Sequence, residues 1–281
     1  MNIKSIPILA AIVAILSLAN PLHALFTTSF DTEAEFTQNF NSYGNTDGLS
    51  WDAGGYIRQF ENEIGSTGSN STSVLVPNGA QQIFAVDNVQ IAMDFRFTGL
   101  QAPSLGFYFG ALGGETPDDS LFALFTASTS NIRYRFWTGG NPSTSSPGTL
   151  ASGGDTTVNT VNTGGTGQPP ALQQDVWYHL QLSTLILNDN QIQATISWYG
   201  YDSNEKTLLH ERAYTYSAAL SADHLEGGQV GMRMIRPAGA ETHVGSYTIV
   251  PEARHAGLIF GVIIACTMTY FRRKRGGGFQ S

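Results

Sequence analysis

The chain has 281 residues, and only 13% of them are charged, with a formal net charge of -8. Residues 25–250 hold 8 Lys and Arg against 21 Asp and Glu, a net charge of -13. A domain this acidic repels nucleic-acid phosphates, which excludes nucleic acid as a partner. Apolar residues make up 41% of the chain, enough for a sizeable core, so the composition also excludes wholesale disorder. The length accommodates one large all-β domain or two smaller ones.

The first 24 residues show the three parts of a secretory signal peptide. Lys4 supplies a positive start, Ile6–Leu18 is an apolar run, and Ala24 is a small residue suited to cleavage. Ala19 is a weaker alternative cleavage site. The other interpretation is a retained membrane anchor, but this apolar run is short for a membrane span of about 20 residues. We therefore expect export and cleavage after Ala24.

Alternation of apolar and polar residues between residues 26 and 249 predicts β-strands. In Val89–Phe97 and Ile192–Trp198 every second residue is apolar, as in a half-buried strand. Further predicted strands are Ser104–Gly110, Leu121–Ala127, Ile132–Trp137, Trp177–Leu187, Leu208–Tyr216, Gln229–Arg236 and Val244–Val250. About ten to thirteen short strands with turns between them predict an all-β domain, an antiparallel β-sandwich or jelly roll, over residues 25–249.

Residues 138–170 break this pattern, because they are rich in Gly, Ser, Thr and Asn and end at Pro169-Pro170. We expect a long surface loop here. A loop of this length is either a flexible insertion or a segment that contacts a ligand or carries a modification.

The C-terminal segment has three consecutive parts. The first is Val250, Pro251, Glu252 and Ala253, the second is the apolar run Ala256–Phe271, and the third is Arg272, Arg273, Lys274 and Arg275. A helix over the apolar run is about 24 Å long at 1.5 Å per residue, and flanking Arg side chains can snorkel to the membrane interface. The positive-inside rule leaves the basic stop in the cytoplasm. The alternative is a buried C-terminal element of the domain, which four consecutive cations argue against.

This arrangement resembles the PEP-CTERM sorting signal of Gram-negative bacteria. That family has a Pro-Glu-Pro motif, an apolar helix and an Arg-rich end, and this sequence departs from it at Ala253, where Pro is usual. The resemblance implies export, transient anchoring in the inner membrane and processing by an exosortase. It implies a final location in the cell envelope, at the outer surface or in the extracellular matrix.

A second resemblance concerns the central domain. Asp175–Leu180 followed by Ile192–Tyr199, with Gly228–Arg233 late in the domain, is similar to the paired strands of concanavalin A-like (laminin-G-like) sandwiches. The resemblance implies a concanavalin A-like jelly roll between the signal peptide and a C-terminal transmembrane helix.

Motifs for catalysis are missing from the sequence. The six histidines have no zinc-type spacing, and neither a nucleophile elbow nor a phosphate-binding loop is present. The E-x-D-x-x-E motif of sandwich-fold glycosidases is also absent. His179 is predicted to lie on a strand face. We predict no cofactor; Asp118 and Asp119 are weak calcium candidates whose alternative is a solvated turn.

Carbohydrate is the ligand that the sequence favours. Sugars stack on exposed aromatic rings, and Trp137, Tyr199 and Tyr201 are predicted at outward positions or strand ends. The alternative is that these rings pack beneath loops. The first functional hypothesis is a non-catalytic, exported envelope or matrix protein. A surface carbohydrate-binding module is the alternative, and a glycoside hydrolase or lyase is the third hypothesis.

Overall fold

A computed structural model describes twelve parts of the chain. They are residues 26–44, 48–60, 71–77, 89–112, 119–140, 148–160, 168–187, 191–203, 205–221, 224–225, 228–236 and 240–251. The chain divides into a unit Ala24–Val250 and a unit that comprises Met1–His23 and Pro251–Ser281. The predicted signal peptide with its cleavage site at Ala24, Glu252, Ala253, the apolar run and the basic stop lie outside the described residues.

Fifteen strands and two short helices form within these described residues. The strands are β1 (Phe26–Thr28), β2 (Phe40–Gly44), β3 (Leu49–Asp52), β4 (Tyr56–Gln59), β5 (Ser71–Pro77), β6 (Val89–Phe97), β7 (Gln101–Ala111), β8 (Leu121–Ser128), β9 (Asn131–Thr138), β10 (Thr149–Asn159), β11 (Tyr178–Ile186), β12 (Ile192–Asp202), β13 (Glu205–Tyr216), β14 (Gln229–Arg236) and β15 (Thr242–Pro251). The helices are α1 (Glu33–Asn39) and α2 (Ala218–Ser221). Neither helix in the described ranges has the length and apolar character that a membrane span requires.

The strands form two antiparallel sheets. Sheet A has the order β13-β12-β11-β6-β15-β4-β3, with β1 also paired to β15, and sheet B has the order β10-β9-β8-β7-β14-β5-β2. Apolar side chains of both sheets meet in one shared core. The structure thus confirms the predicted all-β sandwich. The predicted strands Val89–Phe97 and Gln229–Arg236 coincide with β6 and β14.

The predicted loop at 138–170 is wrong in one part, because residues Thr149–Asn159 form strand β10. This strand pairs antiparallel with β9 at the edge of sheet B, with a bulge between Leu150 and Asp155. Gly153 lies in the bulge with φ of +74°, a conformation that favours glycine. An edge strand that is largely exposed needs no regular apolar alternation, so its pattern resembles that of a loop.

Phe125 lies at the centre of the core between the two sheets. Its ring centroid is 5.7 Å from that of Phe95 on β6, 5.8 Å from that of Trp198 on β12, and 5.8 Å from that of Tyr134 on its own sheet. These aromatic residues are fully buried. One ring therefore links both sheets through contacts that combine apolar burial with edge-on or tilted ring geometry.

A second, smaller apolar cluster lies on the opposite surface of sheet B. It consists of Tyr108, Ala111, Phe122 and Leu124, with Tyr43, Trp137 and Ile235 packed against it. Tyr108 on β7 and Phe122 and Leu124 on β8 alternate with side chains of the shared core, so they point away from sheet A.

Phe125→Ala should lower the free energy of unfolding by about 3–5 kcal/mol, because it removes a large buried ring and leaves a cavity between the sheets. Urea denaturation of the full chain measures this change. Leu208→Ala, which shortens a side chain on exposed strand β13, should change the free energy by about 0.5 kcal/mol or less. Equal effects of the two substitutions would contradict the central position of Phe125.

Candidate functional site

The carboxylate of Asp94 on β6 lies at the centre of a polar group on the outward surface of sheet A. Its Oδ1 is 2.7 Å from Nδ1 of His179 on the neighbouring strand β11, and its Oδ2 accepts a 2.6 Å hydrogen bond from the Ser246 hydroxyl on β15. Tyr201 on β12 donates a third hydrogen bond to Oδ1. We call the outward side chains around this carboxylate, on β4, β6, β11, β12, β13 and β15, the Asp94 face.

The pKa of Asp94 is low although the group is partly buried. Burial alone raises the pKa of a carboxyl group, but the hydrogen bonds from His179, Ser246 and Tyr201 outweigh burial and lower the pKa of Asp94 to about 2. Burial and the adjacent carboxylate raise the pKa of Tyr201. Asp94 is therefore charged and Tyr201 protonated at neutral pH, which is the pairing that the hydrogen bond requires.

The bond to Asp94 sets the direction of the Tyr201 side chain. Strand β11 lies between β12, which carries Tyr201, and β6, which carries Asp94. The Tyr201 side chain must therefore cross β11 and lie along the sheet surface, yet it keeps 40% of its area exposed. The Tyr201 ring is therefore exposed and held in a fixed orientation.

His179 is held from two sides. Its Nδ1 faces Asp94, and Nζ of Lys206 lies 3.3 Å from both of its ring nitrogens. The side chain is nearly buried on β11, which confirms the prediction of a strand-face histidine. A neutral ring that donates from Nδ1 to the carboxylate leaves Nε2 as the acceptor for Lys206.

A second set of hydrogen-bonded polar side chains lies beside the group around Asp94. Arg96 Nε is 2.8 Å from Nδ1 of His243, and Nε2 of His243 is 2.6 Å from Oε2 of Glu241. A guanidinium group only donates, so Nδ1 of His243 must be unprotonated and its proton must reside on Nε2, donated to Glu241. Burial lowers the pKa of His243; Glu241 raises this pKa, and Arg96 lowers it again.

Three aromatic side chains follow one another across the Asp94 face. Trp177 precedes β11 and crosses β6 to reach β15, where a Cβ added to Gly245 would lie 3.1 Å from the indole ring. Tyr56 on β4 packs edge-on against Trp177, at a centroid distance of 6.0 Å, and stacks on His243 at 4.5 Å. Arg96 lies 4.9 Å from the ring centroids of both Tyr56 and Trp177.

The aromatic track, as we name Tyr201, Trp177 and Tyr56, runs from β12 to β4 across five neighbouring strands. Four inter-strand spacings of about 4.8 Å separate the backbones of β12 and β4 by roughly 19 Å, and the rings themselves span less because Tyr201 and Trp177 lean toward β4. The hydrogen-bonded side chains around Asp94 and around His243 lie directly beside this track. A cleft of about 400 Å³ adjoins the face at Ser246; it is lined by Thr27, Thr28, Ser29, Glu35, Asn39 and Ser246.

The structure separates the three residues predicted as glycan contacts. Tyr199 and Tyr201 lie on the Asp94 face, where the Tyr199 ring packs edge-on against His179. Trp137 lies on β9 in sheet B, half-buried against the second apolar cluster. Trp177 and Tyr56 were not predicted as members of the site, although the outward positions of Asp94 and Arg96 follow from the alternation along β6.

The remaining predicted residues have the following places. Asp119 is exposed at a φ of +42°, and Asp118 lies outside the described residues. No group of three or more His, Cys, Asp or Glu that could hold a metal occurs in the part of the chain that the structure describes. Val250 and Pro251 lie at the end of β15.

Comparison with known proteins identifies likenesses in fold. No model of a known protein family matches the sequence, and no curated protein matches it. The PL-14 alginate lyase from Aplysia kurodai aligns at a TM-score of 0.51 with 10% identity, over 82% of this chain and 99% of the other. A legume lectin-like domain from Entamoeba histolytica aligns at 0.47 with 9% identity, over 80% and 95% of the two chains. Lectin I from Ulex europaeus aligns at 0.43 with 10% identity, over 80% and 97%.

At these identities the likeness concerns the fold alone. The chain folds as an antiparallel β-sandwich, as the strand pattern predicts, and this fold is similar to that of the alginate lyase.

Asp94→Asn should lower the free energy of unfolding at neutral pH by about 2 kcal/mol, since the folded-state pKa of about 2 lies below the usual 3.8. This contribution is present above pH 3.8 and is lost as pH falls through 2, so the difference between wild type and variant should shrink over that range. Urea denaturation at several pH values measures this difference in the free energy of unfolding. Asp202→Asn, at an exposed carboxylate, is the control, and a pH-independent difference would contradict this account of Asp94.

His243 should carry its proton on Nε2 and titrate below its usual pKa of 6.5, because burial and Arg96 disfavour the imidazolium. The folded state therefore loses stability as pH falls below 6.5. Nitrogen chemical shifts of the imidazole ring report both tautomer and titration midpoint. Glu241→Gln should lower the midpoint further, since it removes the carboxylate that favours the charged form; a proton on Nδ1 would be incompatible with the Arg96 bond.

Proposed function

We propose that this chain is an exported carbohydrate-binding protein that holds a neutral glycan chain on its Asp94 face. The observation that carries the proposal is the aromatic track. Its three rings lie in sequence across the sheet beside a polar centre whose geometry is fixed by hydrogen bonds. Sugar rings present apolar C–H faces that stack on aromatic rings and hydroxyl groups that bond at the edges.

Preorganisation of the rings supports this proposal. Tyr201 is bonded to Asp94, and Trp177 rests on Gly245, so neither ring must be ordered when a ligand arrives. Binding costs less when the contacting side chains already have their bound orientation. Rings fixed in the free protein are suited to an open surface, where a glycan chain can lie without being enclosed.

The charges of the face favour a neutral glycan over an acidic one. Asp94 and Glu241 contribute two carboxylates, and Arg96 and Lys206 contribute two cations, all in contact with the two histidines. A further cation, Arg58, lies 3.8 Å from Asp52. Opposite charges are therefore balanced among these six groups, while hydroxyl groups can both donate to the carboxylates and accept from the cations.

The state of Asp94 favours binding over catalysis. A general acid or base exchanges its proton near the working pH, but Asp94 has a pKa of about 2 and accepts from three donors. Glu241, the second carboxylate of the face, is engaged by His243. Both carboxylates are thus held by hydrogen bonds within the face, and for this reason we place the chain among binding proteins.

The sequence supports the exported location. The signal-peptide pattern at residues 1–24 and the PEP-CTERM-like order of motif, apolar run and basic stop at residues 250–275 are the features on which it rests. In this proposal the tail anchors the precursor in the inner membrane, an exosortase processes it near Pro251, and the sandwich reaches the cell surface or matrix.

Tyr201→Ala and Trp177→Ala should each weaken binding of a neutral oligosaccharide about tenfold, because each removes a stacking ring. Calorimetric titration of the full chain with laminarihexaose, cellohexaose, mannohexaose and xylohexaose measures the affinity. Tyr201→Phe keeps the ring but loses the bond to Asp94, so its effect should be smaller than that of Tyr201→Ala.

Leu220→Ala provides the control, since Leu220 is an exposed apolar side chain on α2 outside the face. It should leave binding unchanged. Absence of binding to all four oligosaccharides, or equal affinity of wild type and both alanine variants, would refute this function for the Asp94 face.

A further inference from the structure

The cleft at Ser246 extends the Asp94 face in a direction that the aromatic track does not follow. Strand β4 pairs with residues 242–244 of β15, and β1 pairs with residues 247–249 of the same strand. The two pairings are therefore displaced along β15 by three residues, or about 10 Å. The track crosses β15 at Gly245 and ends on β4, whereas the cleft lies beside β1. The track thus runs across the strands, and the cleft lies to one side of it.

The turn between β1 and α1 gives the cleft a rigid wall. Phe30 in this turn is fully buried at a φ of +55°, a left-handed conformation that residues other than glycine rarely adopt. Its ring centroid lies 5.4 Å from that of Phe40, and its carbonyl oxygen accepts a 2.8 Å hydrogen bond from Nε1 of Trp51. Because the surrounding packing holds this conformation, the neighbouring Ser29 keeps its place at the cleft.

Glu35 connects the helix to the strand on the other side of this turn. Its Oε2 accepts a 2.9 Å hydrogen bond from the hydroxyl of Thr28 on β1, and the same hydroxyl oxygen accepts from the backbone N–H of Phe30. The helix begins at Thr32, whose side chain accepts from the Glu35 backbone N–H at 3.3 Å. The half-buried carboxylate of Glu35 is therefore positioned before a ligand arrives, which lowers the cost of binding.

The cleft keeps hydrogen-bonding capacity that the described residues do not use. Among them, Thr28 is the only hydrogen-bond partner of the Glu35 carboxylate, so Oε1 can still accept. Asn39 lies four residues further along α1, on the same side of the helix. Its side-chain amide has no partner in the same part of the chain and offers both donors and an acceptor. Two adjacent polar groups are thus available to one ligand.

The lining of the cleft favours an uncharged group that carries several hydroxyls. The six lining residues contribute hydroxyl groups, one amide and the Glu35 carboxylate, with neither a cation nor an aromatic ring among them. A carboxylate without a neighbouring cation repels an acidic group, but it accepts strong hydrogen bonds from hydroxyls. The volume of about 400 Å³ lies at the lower end of the range for small-molecule sites, so it suits one sugar unit better than a chain.

We propose that this cleft receives a single neutral sugar branch of a glycan whose main chain lies along the aromatic track. The inference rests on the function proposed for the Asp94 face and gives that face a preference for branched chains. Glu35 Oε1 accepts from one hydroxyl of the branch, and the amide of Asn39 bonds to a neighbouring one. Ser246, which donates to Asp94 and also lines the cleft, lies where the branch leaves the main chain.

Calorimetric titration of the full chain with matched linear and branched oligosaccharides tests this proposal. The linear ligands are laminarihexaose, cellohexaose, mannohexaose and xylohexaose, and the branched ones are the same chains with one glucosyl, xylosyl, galactosyl or arabinosyl branch, respectively. For the main chain that binds, the branched ligand should bind at least tenfold more tightly than the linear one. This gain corresponds to the added hydrogen bonds of the branch.

Variants of α1 assign the gain to the cleft. Glu35→Gln should weaken binding of the branched ligand about fivefold, and Asn39→Ala about threefold, and both should leave the linear ligand unaffected. Glu33→Gln is the matched control, because it removes an exposed carboxylate from the same helix outside the cleft. It should bind both ligands as the wild type does. Thermal unfolding shows whether each fold is intact, and Asn39→Ala keeps the test valid if Glu35→Gln fails to fold.

The outcomes separate this inference from the function on which it rests. Equal or weaker binding of the branched ligand, with both ligands still dependent on Tyr201, would overturn the branch site and leave glycan binding in place. A gain from the branch that Glu35→Gln and Asn39→Ala leave intact would also overturn it. Absence of binding to every linear and branched ligand would refute the glycan-binding function and this inference together.

Discussion

The carboxylate of Asp94 is the group on which the outward surface of sheet A depends. A partly buried charge is costly unless hydrogen bonds replace the lost water, and three donors from β11, β12 and β15 do so here. These strands lie on both sides of β6, so a single carboxylate fixes side chains across four strands of the sheet. The pKa of Asp94 is low because these hydrogen bonds stabilise its charged form.

The sandwich supplies the rigid support for this surface. Core residues such as Phe125 and Trp198 hold the two sheets together, and the regular strand spacing then determines how far apart outward side chains stand. The aromatic track forms because Tyr201 and Trp177 are long enough to lean across neighbouring strands.

Strand alternation was sufficient to predict the sandwich and most of its long strands, because half-buried strands with one apolar face dominate both sheets. It failed at β10, whose exposed edge position tolerates Gly and Thr without alternation. The site was harder to predict. Tyr201 could be named as an outward aromatic residue, but its bond to Asp94 joins residues 107 positions apart, and the bond between Ser246 and Asp94 spans 152. Such pairs follow from strand order, which local patterns do not specify.

A crystal structure of the chain with bound laminarihexaose is the most direct test of the central claim. The account predicts that sugar rings stack on Tyr201 and Trp177 and that sugar hydroxyl groups bond to the polar side chains around Asp94 and His243. Both aromatic rings should keep the positions that they hold without ligand. A ligand bound elsewhere on the sandwich, with the Asp94 face bare, would contradict it. So would a complex in which Tyr201 has left Asp94 to reach the sugar, because the track would then not be preformed.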